Sequence, residues 1–294
     1  MSSIRKLSLQ NAAGERFRLD GTDGVYASNL TGFGFSLNHA LTDLSRGFFK
    51  NIGSEYEPQQ QQIPFAVTFT RNAYQMYRRF VDWLASAASL KLVYQPYGDT
   101  EFFRDIAVSY VQKGELNAVR WLEASISALC LTPWYLPTPT VLSLDNGNAE
   151  TIKRYPYTYT EDLRYGSDSM AALSGTIFPS GHIPGALDIS YSGGIVNPRI
   201  RLTGNVSGRT YGVCTITTSF EPSDTLRFSS RYEKSFVSKI SADGSEVDLL
   251  DHLDLTIEPF FHIPVDEPCT LSIDSDSPIP GTATVQVYYY FRSV

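Results

Sequence analysis

The chain has 294 residues, which is enough for roughly two domains of the usual size. With 42% hydrophobic and 13% aromatic residues it is too apolar for an intrinsically disordered protein, and its many Tyr and Phe residues favour strands. A net charge of −7 and a pI near 5.1 argue against a protein that binds duplex DNA by neutralising phosphates. The acidic excess belongs to the second half, since residues 1–143 hold 13 basic and 12 acidic side chains and residues 144–294 hold 11 and 19.

Membrane insertion and export are not indicated. No stretch approaches the roughly 18 consecutive apolar residues that a spanning helix needs. The first twenty residues carry charges where a signal peptide has its apolar stretch. Cys130, Cys214 and Cys269 are odd in number and widely spaced in strand-like segments, so we expect reduced packing residues.

The first half predicts an α+β domain dominated by antiparallel sheet. Short strands are indicated at 4–10, 15–19 and within 24–37, whereas the polar, glutamine-containing segment 43–62 is typical of an exposed loop. A strand beginning at Ile63 precedes the one long helix, for which Asn72 is the candidate N-cap. The apolar residues of this helix recur at intervals of three and four, as expected for one helical face: Tyr77, Phe80, Val81, Leu84 and Ala88.

Three further strands form a meander, at 90–97, 101–112 and 119–131. Three prolines within 132–139 and the Asp, Asn and Gly residues that follow mark the exit from one domain, and we place the boundary near Ser143. Beyond it, short β-rich runs recur between Gly, Pro, Asp and Ser residues, a pattern typical of an antiparallel β-sandwich. One short helix or 3₁₀ turn is indicated at 246–252.

Catalytic and metal-binding motifs are not recognised. The histidines at 39, 182, 252 and 262 have no ligand partner at zinc spacing, and Gly204–Gly208 does not match a nucleophile elbow. Two groups of acids could serve a glycosidase or a weak cation site, although we expect solvated surface carboxylates. They are Asp248, Asp251 and Asp254, and Asp274 and Asp276. Tyr288–Phe291 could stack against sugars, but core or subunit-interface roles are favoured.

The order of segments resembles a known family. The first half has, in order, a strand, an aromatic and Arg-containing helix, a strand with Arg104 and Asp105, a turn with Lys113 and Glu115, and the exit Thr132–Tyr135. In this it resembles the N-terminal domain of siphophage distal tail proteins, the baseplate hub family. The second half is similar in its Gly193–Gly204 strand entry and in the Leu and Asp residues that precede an apolar turn. One departure is the replacement of a Pro-Gly turn by residues 265–268.

This resemblance implies a structural protein of the virion tail tip. The expected assembly is a homohexameric ring, able to stack with a second ring, in which domain 1–143 closes the ring and domain 144–294 forms a galectin-like β-sandwich. The implied partners are the tail tube protein, the tail-associated hub protein and receptor-binding proteins. DNA would pass through the channel without specific binding, and no cofactor, metal, catalytic residue or membrane contact is implied.

A large aromatic content in a small sheet suggests where the ring contact lies. We predict that the meander supplies it through Tyr94, Phe102 and Phe103, together with the segment from Arg46 to Gln62. The alternative is a monomeric carbohydrate-binding or glycan-degrading β protein. Its mass in solution would distinguish it from the ring.

Overall fold

A computed structural model describes residues 5–30, 33, 37–45, 48–56, 62–96, 98–144, 172–280 and 282–294. The chain divides into two compact units. Unit 1 contains Met1–Pro137 and Phe291–Val294, and unit 2 contains Thr138–Tyr290. The last residues of the chain therefore return to unit 1. Each unit has its own buried apolar core.

Unit 1 is a twisted antiparallel sheet with one helix. Its elements are β1 (Lys6–Asn11), β2 (Arg16–Arg18), β3 (Val25–Ser28), β4 (Leu37–Ser45), β5 (Phe48–Tyr56), β6 (Gln62–Phe69), α1 (Ala73–Ser86), β7 (Leu90–Gln95), β8 (Phe102–Leu116), β9 (Leu122–Cys130) and β10 (Trp134–Tyr135). Seven strands pair in the order β2-β1-β7-β8-β9-β6-β3, and β10 pairs briefly with β8. The mainly β prediction with one long helix is confirmed.

Helix α1 is held to the sheet by aromatic packing. Phe80 is fully buried, and its ring centroid lies 4.9 Å from that of Phe17 and 5.8 Å from that of Phe69. Asn72 is the N-cap residue, but it has a left-handed backbone (φ 45°) and its side chain makes no capping hydrogen bond. Ala88 lies beyond the helix, which ends at Ser86.

The prediction of a loop over 43–62 is wrong for the residues that the structure describes. Strands β4 and β5 fill most of this segment and pair antiparallel with each other, and β6 begins at Gln62. The β-forming residues of β5, such as Phe48, Phe49 and Ile52, outweigh the polar residues around them. Residues 46, 47 and 57–61 lie outside the described part of the chain.

Unit 2 is an antiparallel β-sandwich. Its elements are β11 (Thr140–Leu144), β12 (Leu173–Ile177), β13 (Ile183–Ser192), β14 (Ile195–Val196), β15 (Arg199–Gly204), β16 (Thr210–Thr215), β17 (Ser219–Phe220), β18 (Thr225–Arg231), β19 (Lys234–Ile240), β20 (Glu246–Asp248), a 3₁₀ helix (Leu250–His252), β21 (Cys269–Asp274) and β22 (Ala283–Phe291). One sheet has the order β11-β22-β13-β18-β19-β20 and the other β12-β21-β15-β16, while β14 pairs with β17.

The two sheets of unit 2 share one core because alternate side chains of each strand point inward. Ile189 and Val285 from the first sheet and Leu202 and Leu271 from the second are almost completely buried in the same apolar cluster. Buried Tyr191 also donates its hydroxyl to the carbonyl of Pro280 at 2.8 Å. A core of this kind accounts for the alternating pattern read from the sequence.

The division between the units falls between Pro137 and Thr138, earlier in the chain than the predicted boundary at Ser143. The physical reason is strand β11, which pairs with β22 from Thr140 to Leu144. Leu144 is fully buried in the core of unit 2. Independent folding of the two parts stays a prediction.

Among the described residues, no helix has the length and apolar character needed to span a membrane.

Candidate functional site

The three residues predicted to close a ring lie on adjacent strands of unit 1. Tyr94 of β7 is opposite Phe102 of β8, so these two rings share one face of the sheet, and Phe103 points to the other. Phe103 is buried, with its ring 6.2 Å from that of Tyr135 and the Arg16 guanidinium 5.8 Å from its centroid. The meander is thus formed as predicted.

Tyr94 and Phe102 are half-buried by aromatic neighbours of their own unit. The Tyr94 ring lies 5.0 Å from Phe33 and 6.1 Å from Trp134. The Phe102 ring meets Phe291 edge-on at 5.3 Å. All three predicted interface rings therefore contribute to packing within unit 1, and their part in a contact between copies stays a prediction.

An ion pair fixes β2 beside the start of β8. The Arg16 guanidinium donates to both carboxylate oxygens of Glu101, at 2.7 and 2.8 Å. This hydrogen bonding holds the pKa of Glu101 below its ordinary value and raises the pKa of Arg16. Such bidentate geometry is the strong form of an Arg–carboxylate contact, although both side chains are about one third exposed.

The motifs that carry the family resemblance interlock. Arg104 donates its Nε–H to the carbonyl of Thr132 at 2.8 Å, and Thr132 Oγ1 accepts the backbone N–H of Asp105 at 2.9 Å. Asp105 in turn accepts the Tyr135 hydroxyl at 2.9 Å, while Arg104 lies over the ring of buried Trp134 at 5.7 Å. The Arg-Asp pair therefore anchors the chain where it leaves the sheet.

The Lys113–Glu115 motif lies on the outer part of β8. Lys113 is 3.6 Å from Glu115 and 4.8 Å from the Tyr74 ring centroid, and Tyr74 donates its hydroxyl to Glu115 at 3.1 Å. These contacts connect the start of α1 to β8. Their side chains are largely exposed, so we assign them a small contribution to stability.

One feature of β8 escaped the sequence reasoning. β7 pairs with β8 only as far as Ile106, whereas β9 follows the other edge of β8 to Leu116. Among the described strands, nothing pairs with the first edge over residues 107–116, and Tyr110 there is 52% exposed. The available signal was strand length, because the β8 segment is much longer than the β7 segment.

Four of the five acids considered for catalysis are exposed, and Asp274 is half-buried. Asp274 and Asp276 both pair with Arg199, and Asp254 accepts the backbone N–H of Thr256 at 3.0 Å. His262 stacks on Tyr232 with ring centroids 4.2 Å apart, and burial lowers its pKa. In the part of the chain that the structure describes, no group of three or more His, Cys, Asp or Glu side chains is arranged to hold a metal ion.

The three cysteines are all buried, as expected for packing residues. Burial raises the pKa of Cys214 to about 12 and that of Cys269 to about 11, and it also raises the pKa of Cys130. Thiols in such surroundings are poor nucleophiles because the thiolate is scarce at neutral pH. The cysteines therefore offer no evidence of a reactive site.

Comparison with known proteins identifies the N-terminal domain. Residues 6–131 match the family model described as the distal tail protein, N-terminal domain. These residues form a distal tail protein domain. The resemblance to phage distal tail proteins that the sequence predicts is confirmed, and it gives the chain a structural role in phage tails. No curated protein matches the chain.

The fold of the whole chain is also that of known tail proteins. A chain of the phage P2 baseplate in its activated conformation with Ca has 14% identity and a TM-score of 0.58, and the match covers 99% of this chain and 100% of that one. The Dit protein of phage SPP1, described as a hub of the adsorption apparatus in phages that infect Gram-positive hosts, has 9% identity and a TM-score of 0.58 over 96% and 98% of the two chains. The likeness thus extends from the distal tail domain into unit 2.

Proposed function

We propose that the protein forms a homohexameric ring at the tip of a phage tail, where it joins the tail tube to the hub around a DNA channel. The observation that carries this proposal is the match of residues 6–131 to the distal tail domain, supported by the likeness of the whole chain to a baseplate protein and a hub protein. Unit 2 would be a galectin-like sandwich that meets other tail components, among them receptor-binding proteins. No enzymatic activity and no cofactor are part of this proposal.

The edge of β8 over residues 107–116, with which no described strand pairs, is the best surface for ring closure. An exposed strand edge presents unsatisfied backbone N–H and C=O groups, which pair readily with a strand of another chain. A closed ring leaves no such edge free, because each copy covers the edge of the next. The bulge between Val108 and Tyr110 alters the register here and would help to set which strand can pair.

In this arrangement Tyr94, Phe102 and Phe103 support the edge from within unit 1. The hairpin of β4 and β5, which pairs with no other described strand, is a second candidate contact with a neighbouring copy. The channel wall would lack a continuous belt of Arg and Lys, in keeping with the near balance of 13 basic and 12 acidic residues in 1–143. Duplex DNA could then pass without sticking to it.

Light scattering tests the ring directly. Six copies of a 32.7 kDa chain give about 196 kDa, whereas the carbohydrate-binding alternative predicts a monomer. Tyr110→Glu changes an exposed residue of the β8 edge and should give smaller species with unchanged circular dichroism. Val119→Glu, also exposed but in the turn after β8, is the control. A hexamer that persists in Tyr110→Glu would remove the β8 edge from the proposal, and a monomeric wild type would overturn the ring.

A further inference from the structure

Unit 2 carries an exposed strip that is both acidic and apolar. Between Lys239 and Arg292 the chain has ten Asp or Glu residues and no Lys or Arg. The segment from Val247 to Glu258, which we call the acidic strip, is anchored by Leu249 and Leu253 in the core. Four of its apolar side chains face solvent instead: Val247 (50% exposed), Leu250 (42%), Leu255 (70%) and Ile257 (56%). Four exposed apolar side chains within eleven residues of one segment are more than single scattered positions, and they favour an interaction surface.

The carboxylates of the acidic strip have no basic partner among the described residues. Asp248, Asp251 and Asp254 form no ion pair with any Lys or Arg in the part of the chain that the structure describes. Other acids of unit 2 do have such partners, for example Asp274 with Arg199. A partner that covers the apolar side chains would therefore need to bring positive charge with it.

Helix α1 of unit 1 has the complementary character. Only Ala73 and Phe80 are fully buried on this helix, and Trp83 is half-buried. The exposed Arg78 and Arg79 make no ion pair with another described residue. A shallow groove on this surface, which we call the basic helix face, is lined by Gln75, Arg78, Arg79, Asp82, Trp83 and Ser86. Asp82 is its one acid.

We propose that the acidic strip of one copy docks on the basic helix face of a second copy. Both surfaces combine apolar groups with charge, the charges are of opposite sign, and the strip has no Lys or Arg to oppose the arginines. The contact uses two different surfaces of the same chain, which is the head-to-tail geometry that generates rings or stacks. It is separate from the β8 edge proposed to close the ring, so it adds a contact between unit 1 and unit 2 of different copies.

Crosslinking between two differently substituted full-length chains tests the contact. Gln75→Cys places a thiol on the basic helix face, and Leu255→Cys places one on the acidic strip. The native cysteines are buried and should remain unmodified. A short bismaleimide added to the mixture should join the two variants into one covalent pair. Val206→Cys, at an 82% exposed position of another unit 2 turn, replaces Leu255→Cys in the control and should give little product.

Charge reversal then asks whether the arginines make the contact. Arg78→Glu in the Gln75→Cys chain should slow crosslinking at least about ten-fold, since like charges would face each other. Asp251→Arg in the Leu255→Cys chain should recover most of that loss, and Asp251 is suitable because it makes no side-chain hydrogen bond to another described residue. Arg120→Glu, an exposed arginine elsewhere in unit 1, should have little effect.

The outcomes separate this inference from the ring. A hexamer by light scattering without the Gln75–Leu255 product would overturn the docking contact and leave the ring in place. The specific product in a sample whose mass excludes a closed ring would retain the contact and overturn the hexamer. Crosslinking of Gln75→Cys to Leu255→Cys that Arg78→Glu does not slow would show that the arginines do not face the strip, which also overturns the charge-matched docking contact.

Discussion

Close packing between the two sheets of unit 2 at Leu144 and Gly175 gives a quantitative prediction. Leu144 of β11 is fully buried, and a Cβ added to Gly175 of β12 would lie 2.6 Å from its Cδ2 atom. Leu144→Ala should lower the free energy of unfolding by about 3 kcal/mol, through lost burial and the cavity that remains. Gly175→Ala should cost about 1–3 kcal/mol because the side chains of Leu142 and Leu144 must shift to admit the added methyl group. In the double variant the clash is relieved, so its loss of stability should be about 1–2 kcal/mol smaller than the sum of the two single losses.

Urea unfolding measures these changes. For a slope of about 2 kcal/mol/M, Leu144→Ala should lower the midpoint by about 1.5 M. Trp83, Trp121 and Trp134 all belong to unit 1, so tryptophan fluorescence follows that unit and circular dichroism adds the transition of unit 2. Leu144→Ala should lower the midpoint of the unit 2 transition, which circular dichroism detects and fluorescence does not. The unit 1 transition, followed by fluorescence, should stay unchanged.

Val141→Ala is the matched control for this series. Val141 belongs to the same strand, is 60% exposed, and should change stability by less than about 0.5 kcal/mol. The packing of β11 against β12 would be refuted if the stability losses of Leu144→Ala and Gly175→Ala simply add in the double variant. A loss below about 1 kcal/mol for Leu144→Ala would refute it too.

Three other predictions follow from the geometry. A fragment of residues 138–290 should unfold cooperatively, whereas 145–290 lacks β11 and should be unstable; equal urea midpoints would contradict this. Hydrogen bonds from Ser207 and Tyr211 lower the pKa of Glu267 to about 2, from an ordinary 4.5, so its contribution to stability is complete above pH 4.5 and is lost toward pH 2. Glu267→Gln should therefore show a weaker loss of stability over that pH range than wild type. The three cysteines should resist a thiol reagent in the native protein and all react in urea, and rapid labelling of Cys214 would argue against its burial.

The sequence was most informative where the residue period was strong. The strands of the meander and helix α1 were found because alternation and helical spacing extend over many residues. Hairpin β4–β5 was missed because its strands contain Asn, Asp, Ser and Gly, which are typical of loops. The predicted boundary near Ser143 falls within the short strand β11, since its partner β22 lies far along the chain and no local pattern reveals that pairing.

The candidate site was predicted less completely. Tyr94, Phe102 and Phe103 were selected as surplus aromatics, but Phe291 and Tyr135 are among the rings that cover them. Contacts of this kind depend on chain segments that are distant in sequence. The number of aromatic residues in a sequence does not show how many of them are buried by contacts within their own unit. The edge of β8 became visible only when the ends of the β7–β8 pairing were known.

The return of the last residues to unit 1 affects how the protein can be engineered. Unit 2 is joined to unit 1 at both of its ends, by Pro137–Thr138 and by Tyr290–Phe291. A protease cut at Tyr290–Phe291 would release only the last four residues, whereas a cut at Pro137–Thr138 would leave residues 1–137 held to the rest by the packing of residues 291–294 alone. Any cargo fused after Val294 would begin beside unit 1, so display from unit 2 would require insertion into one of its turns, such as the one that exposes Val206.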